Sequence, residues 1–267
     1  MNEGRAILAE AVEVYREALG DRLVGAYALG SLAHGGFSPL VSDVDLGLVL
    51  ADPLHTSDAA TVDAAASAVR ERGGALSRRL SVFWSGLQAL RERRAAGRFP
   101  PLDRLDLIES GRLLAGQDVR QSLARPEPAE LVVAGAEFAL DHLGADAAVE
   151  EIRTPRLLLE HGPIRLTKLV LFPVRFIFTA ETGRVGTNMA AVAHHLAGVR
   201  PVSGELVRAA LAWRTAPADS SVALPLLAHE MTPLYLAYIE DHVSRLSALG
   251  RPDLVRAFDR WRRRLTH

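Results

Sequence analysis

The sequence contains no cysteine among its 267 residues. That excludes disulfides, thiol nucleophiles and cysteine-ligated metals. Lysine is almost absent too: of 31 basic residues, Lys168 alone is lysine and the rest are arginine. GC-rich coding accounts for such a bias, but arginine also grips phosphates and carboxylates through paired hydrogen bonds. Net charge is nearly missing, at −1, so there is no global basic field to drive nonspecific nucleic-acid binding. No uninterrupted apolar run is long enough to span a bilayer. The longest oily segment, Leu166 to Ala180, is broken by Lys168, Pro173 and Arg175. Residues 1–20 mix acids with apolar residues at helical spacing, so no signal peptide is expected. A cytoplasmic protein with no membrane partner follows as the expectation. The chain is 49% hydrophobic, enough to bury a core and wrong for a disordered protein.

The two halves differ in pattern. In the first, a helix over 3–19 leads to a strand at Leu23–Leu29, a short helix begins at Gly30-Ser31, and a second strand spans Val44–Leu50. A helix follows over Asp58–Arg72 with Ser57 as its N-cap, then a strand at Leu80–Trp84 and a further strand at Leu105–Glu109. From Pro128 onward every segment has helical length and period: 128–143, 164–181, 187–197, 203–213, 224–248 and 252–265. Gly and Pro punctuate the junctions. The reading is an α+β protein: an α/β domain with a small mixed sheet over 1–120, a linker around Arg125–Pro128, and an all-helical domain over 128–267. A ligand site is expected in the cleft between them.

The stretch that carries chemistry is Leu29–Leu50. Gly30-Ser31 stands where a strand ends and a helix begins. Glycine lets a phosphate approach the backbone, helix-start amides favour an anion, and the Ser31 hydroxyl adds a donor. Asp43 and Asp45 follow twelve and fourteen residues after Ser31. Two acids spaced by two on a strand point the same way and repel each other unless a cation sits between them. Mg²⁺ bridges one or two carboxylates to substrate phosphates, so a phosphate cradle beside an acid pair is equipment for phosphoryl or nucleotidyl transfer.

On these residues the chain resembles the DNA polymerase β-type nucleotidyltransferase superfamily, in particular the streptomycin/spectinomycin-type aminoglycoside adenylyltransferases. Leu169 to Ala193 is similar to that family's arginine-bearing helix, Thr-Gly turn and alanine-rich helix. The resemblance implies a mixed-sheet nucleotidyltransferase domain followed by a helical domain. It implies transfer of a nucleoside monophosphate, AMP from ATP, to a hydroxyl of a small molecule such as an aminoglycoside, with Mg²⁺ required and pyrophosphate released. Asp43 and Asp45 match the metal pair, Ser31 the residue on the terminal phosphates, and Arg175 an arginine that closes on the triphosphate.

Two positions depart from the family pattern. Ser81 stands on the third strand where the resemblance implies a third carboxylate, a general base or third metal ligand, and Asn188 stands where the family carries a lysine after the Thr-Gly turn. Asp103, Asp106 and Glu109 are the nearest acids beyond that strand, apart from Glu92 in a basic run. Asp106 is the first choice for the missing base, and Arg184 a substitute phosphate partner. Lys168 and Arg175 are seven apart and share a helix face; with Arg165 and Arg184 they are either a basic lip over the triphosphate or ordinary helix-surface charges. Pro173 between them would kink the helix. His34 lies in the phosphate turn, and no histidine spacing supports zinc. Glu137, Asp141, Glu160, Glu181 and Glu230 are the acids that would face an amino-sugar, though too dispersed in sequence to define a pocket. Arg260-Trp261-Arg262-Arg263-Arg264 is either a weak nucleic-acid signal or the basic end of an amphipathic helix. Ser81 and Asn188 motivate a second reading, a catalytically impaired nucleotide- or partner-binding module. A third is an enzyme whose acceptor is a protein or tRNA.

Overall fold

The structure is a computed structural model and describes residues 3–199 and 201–267. The chain divides into two compact units, Met1–Pro126 and Glu127–His267, each with apolar clusters of its own.

The N-terminal unit is built on four strands, β1 (Leu23–Ala28), β2 (Val44–Leu50), β3 (Leu80–Gly86) and β4 (Arg112–Gly116). Their order is β3-β2-β1-β4. β1 pairs antiparallel with β2 and β4, while β2 and β3 run parallel, so the sheet is mixed. Helices α1 (Glu3–Leu19) and α3 (Asp58–Arg72) cover one face, where Ala26, Ala28, Leu46, Leu48, Leu50 and Val82 meet Leu8, Tyr15, Val62 and Val69. The short helices α2 (Gly30–His34) and α4 (Leu87–Arg91), with α5 (Pro101–Ser110), complete the unit. Tyr27, Leu29 and Val49 on the opposite face pack with Leu90, Phe99 and Leu107. Alternation along β2 assigns Val44, Leu46, Leu48 and Leu50 to the first face and Asp45, Gly47 and Val49 to the second.

Arg22 ties the end of β2 to the start of α3. Its Nε and Nη2 reach Asp58 Oδ1 and Oδ2 at 2.9 and 2.6 Å, and Nη2 also donates to the carbonyls of Ala51 and Pro53. Ser57 holds the N-cap position but makes no side-chain cap bond. The Asp58 side chain instead accepts the His55 amide at 2.7 Å, tying the helix start to the loop before it.

One expected element is corrected. Leu105–Glu109 is not a strand but lies within α5. Leu105 and Leu107 suggest period two, but Pro101 opens a helix with its φ already set, and Asp103 suits the first turn. The fourth strand begins only after Gly111.

The C-terminal unit is helical: α6 (Pro128–His142), α7 (Asp146–Arg153), α8 (Pro155–Glu160), α9 (Gly162–Thr182), α10 (Asn188–Leu196), α11 (Gly204–Ala212), α12 (Ser220–Ala248) and α13 (Pro252–Thr266). Its core gathers Leu169, Val170 and Val174 of α9, Leu206 and Ala210 of α11, and Leu227, Met231, Tyr235 and Tyr238 of α12 around Phe258 and Trp261. Among the described residues α12 alone is long and apolar enough to cross a membrane, and its Leu227, Met231, Leu234, Ile239 and Leu246 lie in this core. α9 continues through Pro173 from Gly162 to Thr182.

Candidate active site

The end of β1 is pinned to β2 by the Leu29 amide, which donates to the Asp45 carbonyl at 2.9 Å. The chain then turns into α2 at Gly30, whose φ is +57°. A Cβ built there would sit 2.2 Å from Asp45 Oδ2. Left-handed backbone and lack of room together leave glycine as the residue that fits. The Asp45 carboxylate therefore lies against the bare Cα of Gly30, at the mouth of the turn that carries the half-buried Ser31.

Asp106 reaches the same glycine from α5. Its Oδ2 accepts the Gly30 amide at 2.6 Å. The side chain is buried, with 8% of the residue exposed, and Oδ1 is sealed from solvent with no hydrogen-bond partner. The Asp45 and Asp106 carboxylates thus flank one residue, their Oδ2 atoms within about 7 Å of each other. The Gly30 amide, expected to meet a phosphate, is occupied by the protein's own acid.

Asp43 lies just ahead of β2 rather than in it. A tight turn carries it: the Ser42 amide donates to the Ser38 carbonyl at 2.8 Å, and Ser42 Oγ accepts the Ser38 amide at 3.0 Å. Asp43 and Asp45 are both half-buried. Ser81 is the direct partner of Asp45 in the parallel β2–β3 register. Paired residues of parallel strands point to the same face, so a hydroxyl stands beside Asp45 where a carboxylate was expected. Among the described residues no three His, Asp or Glu side chains gather as a self-sufficient metal site. Two carboxylates still fit Mg²⁺, which takes hard oxygens, uses one or two protein acids and keeps its other positions for water and phosphate.

In the helical unit Lys168 and Arg175 lie on α9 seven residues apart, on one face. Arg175 is held from two sides: Nε donates to the Gly186 carbonyl at 2.5 Å, and the guanidinium lies 5.3 Å from the Phe172 ring centroid. Arg184 is exposed in the turn after α9, its amide donating to Thr182 Oγ1 at 3.2 Å. Asn188 begins α10, capped by Thr187. A residue missed from sequence is Arg214, in the turn after α11. Burial pushes its guanidinium below the ordinary arginine value, and the nearby Arg175 charge adds to that. Only the general excess of arginine hinted at such a like-charge pair.

Other expectations resolve more simply. Trp261 is buried in the helical core at 1% exposure, so it offers no stacking platform, and Arg262 and Arg264 pair with Asp259 and Asp146. Glu137 pairs with Arg251, Glu181 with His194 and Arg245, and Glu230 accepts the Leu206 amide. Those acids serve separate contacts within the helical unit. Glu160 and Asp141 are exposed. His34 Nδ1 lies 3.0 Å from the Gly35 carbonyl.

No protein-family profile and no curated protein matches the sequence. Among solved structures the chain is similar to a spectinomycin adenyltransferase from Enterococcus faecialis, determined with ATP and spectinomycin. The match covers 98% of this chain and 99% of that one, with a TM-score of 0.57 and 14% identity. The likeness is one of fold.

Proposed function

We propose that the protein is an Mg²⁺-dependent nucleotidyltransferase that moves a nucleoside monophosphate, AMP from ATP, onto a hydroxyl of a small molecule such as an aminoglycoside. The observation that carries this reading is the turn at Gly30, shaped around the Asp45 carboxylate and leading directly to Ser31. The fold shared with an enzyme solved with ATP and spectinomycin supports it.

Asp43 and Asp45 would hold the cation, and Mg²⁺ bound there would neutralise the charge that builds on the phosphate oxygens. Ser31 would bind the terminal phosphates. Gly30 shapes the turn and keeps side-chain bulk off Asp45. Lys168, Arg175 and Arg184 would offset the triphosphate charge. The acceptor hydroxyl oxygen attacks the α-phosphorus, the bond from that phosphorus to the oxygen bridging to the β-phosphate breaks, pyrophosphate leaves with that oxygen, and the hydroxyl proton passes to solvent. Asp106 belongs to this site through Gly30.

The test is incubation with ATP, Mg²⁺ and a panel of acceptors including spectinomycin and streptomycin, followed by detection of adenylylated product. Asp45→Asn should cut turnover by about 10²–10³-fold, the range for losing one group that stabilises transition-state charge. Equal product from mutant and parent overturns the role of that acid.

Ser81 favours a second reading, a binding module that keeps the nucleotide site without turnover, because no carboxylate stands beside Asp45 on β3. Binding of a nonhydrolysable triphosphate with no product from any acceptor would select it. The loss of general-base help alone costs about 10²–10⁴ in rate, which slows an enzyme without abolishing it.

A further inference from the structure

We infer that Asp106 is a positioning residue: it fixes the Gly30 turn, and through it the Asp45 carboxylate, and does not take the acceptor's proton. The inference rests on the nucleotidyltransferase reading for its activity readout.

Asp106 has two oxygens. Oδ2 accepts the Gly30 amide in a short bond of 2.6 Å. Oδ1 is sealed from solvent. A general base must come within hydrogen-bond reach of the proton it removes, directly or through one water. Oδ1 is closed to water and Oδ2 already serves the Gly30 amide, so the contacts of Asp106 are those of a structural tie.

The same contacts describe a different task. α2 is five residues long, so most of its amides fall among the unpartnered first four of any helix. So short a helix has little internal bonding to hold it in place. The carboxylate of Asp106, 76 residues on, supplies the bond that its first residue lacks. That first residue is the one against which Asp45 Oδ2 lies, with no room for a methyl group between them. A shift of α2 therefore moves Ser31 and removes the surface that locates Asp45. Asp106, Gly30 and Asp45 form one mechanical chain from α5 to β2.

Three substitutions separate positioning from base chemistry. Asparagine keeps an oxygen that can accept the Gly30 N–H but cannot take up a proton. Alanine removes both, and leucine removes both while filling the buried volume, which covers the case in which the alanine variant fails to fold. The full-length parent, Asp106→Asn, Asp106→Ala and Asp106→Leu are compared by hydrogen exchange over residues 29–34 and by turnover with ATP, Mg²⁺ and acceptor across pH. Positioning predicts parent-like exchange in the asparagine variant and faster exchange in the other two. It predicts asparagine turnover within about tenfold of the parent, with an unchanged pH profile. The alanine and leucine variants should fall about 10²-fold, the cost of an ångström-scale misplacement. The inference is overturned if the asparagine variant loses as much turnover as alanine, or if exchange over 29–34 is the same in all four proteins. If the parent turns over no acceptor, the nucleotidyltransferase reading fails by itself, and the exchange data alone decide whether Asp106 holds the turn.

Discussion

Replacing Gly30 with alanine separates the fold from the site. A non-glycine residue at a φ of +57° costs about 1–2 kcal/mol. The new methyl would stand 2.2 Å from Asp45 Oδ2 and 3.1 Å from its Cγ. A carbon–oxygen contact relaxes only near about 3.2 Å, so the carboxylate must swing away by about 1 Å. The end of a side chain can make that movement cheaply, and the stability loss should stay near the backbone figure. Function should not be spared in the same way, since a misplacement of about 1 Å is enough to cost about 10²-fold. The assay is a pair of measurements on Gly30→Ala: thermal unfolding, and calorimetric affinity for a nonhydrolysable ATP analogue with Mg²⁺. A small drop in melting temperature with a large drop in affinity is expected. Parent-like affinity in a folded variant would refute the claim that Gly30 exists to seat Asp45.

Two further predictions concern stability. Arg22→Gln leaves Asp58 buried without its cation and should cost about 3 kcal/mol, the low end for a broken buried pair because Arg22 is partly exposed. The Arg22 guanidinium holds the Asp58 carboxyl below its ordinary value, so this stabilisation is complete above the unfolded pKa and fades as pH falls through the folded one. Melting of parent and variant should differ at pH 7 and converge in acid, and a gap independent of pH would contradict the assignment. Trp261→Ala should cost about 3–5 kcal/mol as a core truncation. Arg262→Gln and Arg263→Gln, on the exposed face of the same helix, should stay within about 0.5 kcal/mol of the parent by chemical denaturation.

Much of the fold was legible because its signals are local. Alternation and flanking turn residues mark β1, β2 and β3, and the 3.6-residue period marks the long helices. The failures have physical causes. In α5 a Leu-x-Leu pair imitates a strand, and the proline that starts the helix was the stronger signal. α7 and α8 span eight and six residues, too short for periodicity to rise above the surrounding loop. The site divides in the same way. Gly30, Ser31, Asp43 and Asp45 lie within sixteen residues of one another, so their spacing can be read from sequence alone. The bond from Asp106 to Gly30 joins residues 76 apart and depends on how α5 packs beside α2. The proximity of Arg175 to Arg214 likewise depends on how the turn after α11 meets α9. Ser81 was the informative intermediate case. Its identity was plain in the sequence, and the β2–β3 register is what sets it beside Asp45.

The proposed function requires Asp45, at the mouth of the Gly30 turn, and Asp43, just ahead of β2, to bind a nucleoside triphosphate through a divalent cation. Calorimetric titration with a nonhydrolysable ATP analogue, with and without Mg²⁺, on the parent and Asp45→Asn tests it most directly. Binding should require Mg²⁺ in the parent and be lost or greatly weakened in the variant. Equal affinity with and without the metal, or in both proteins, would contradict it.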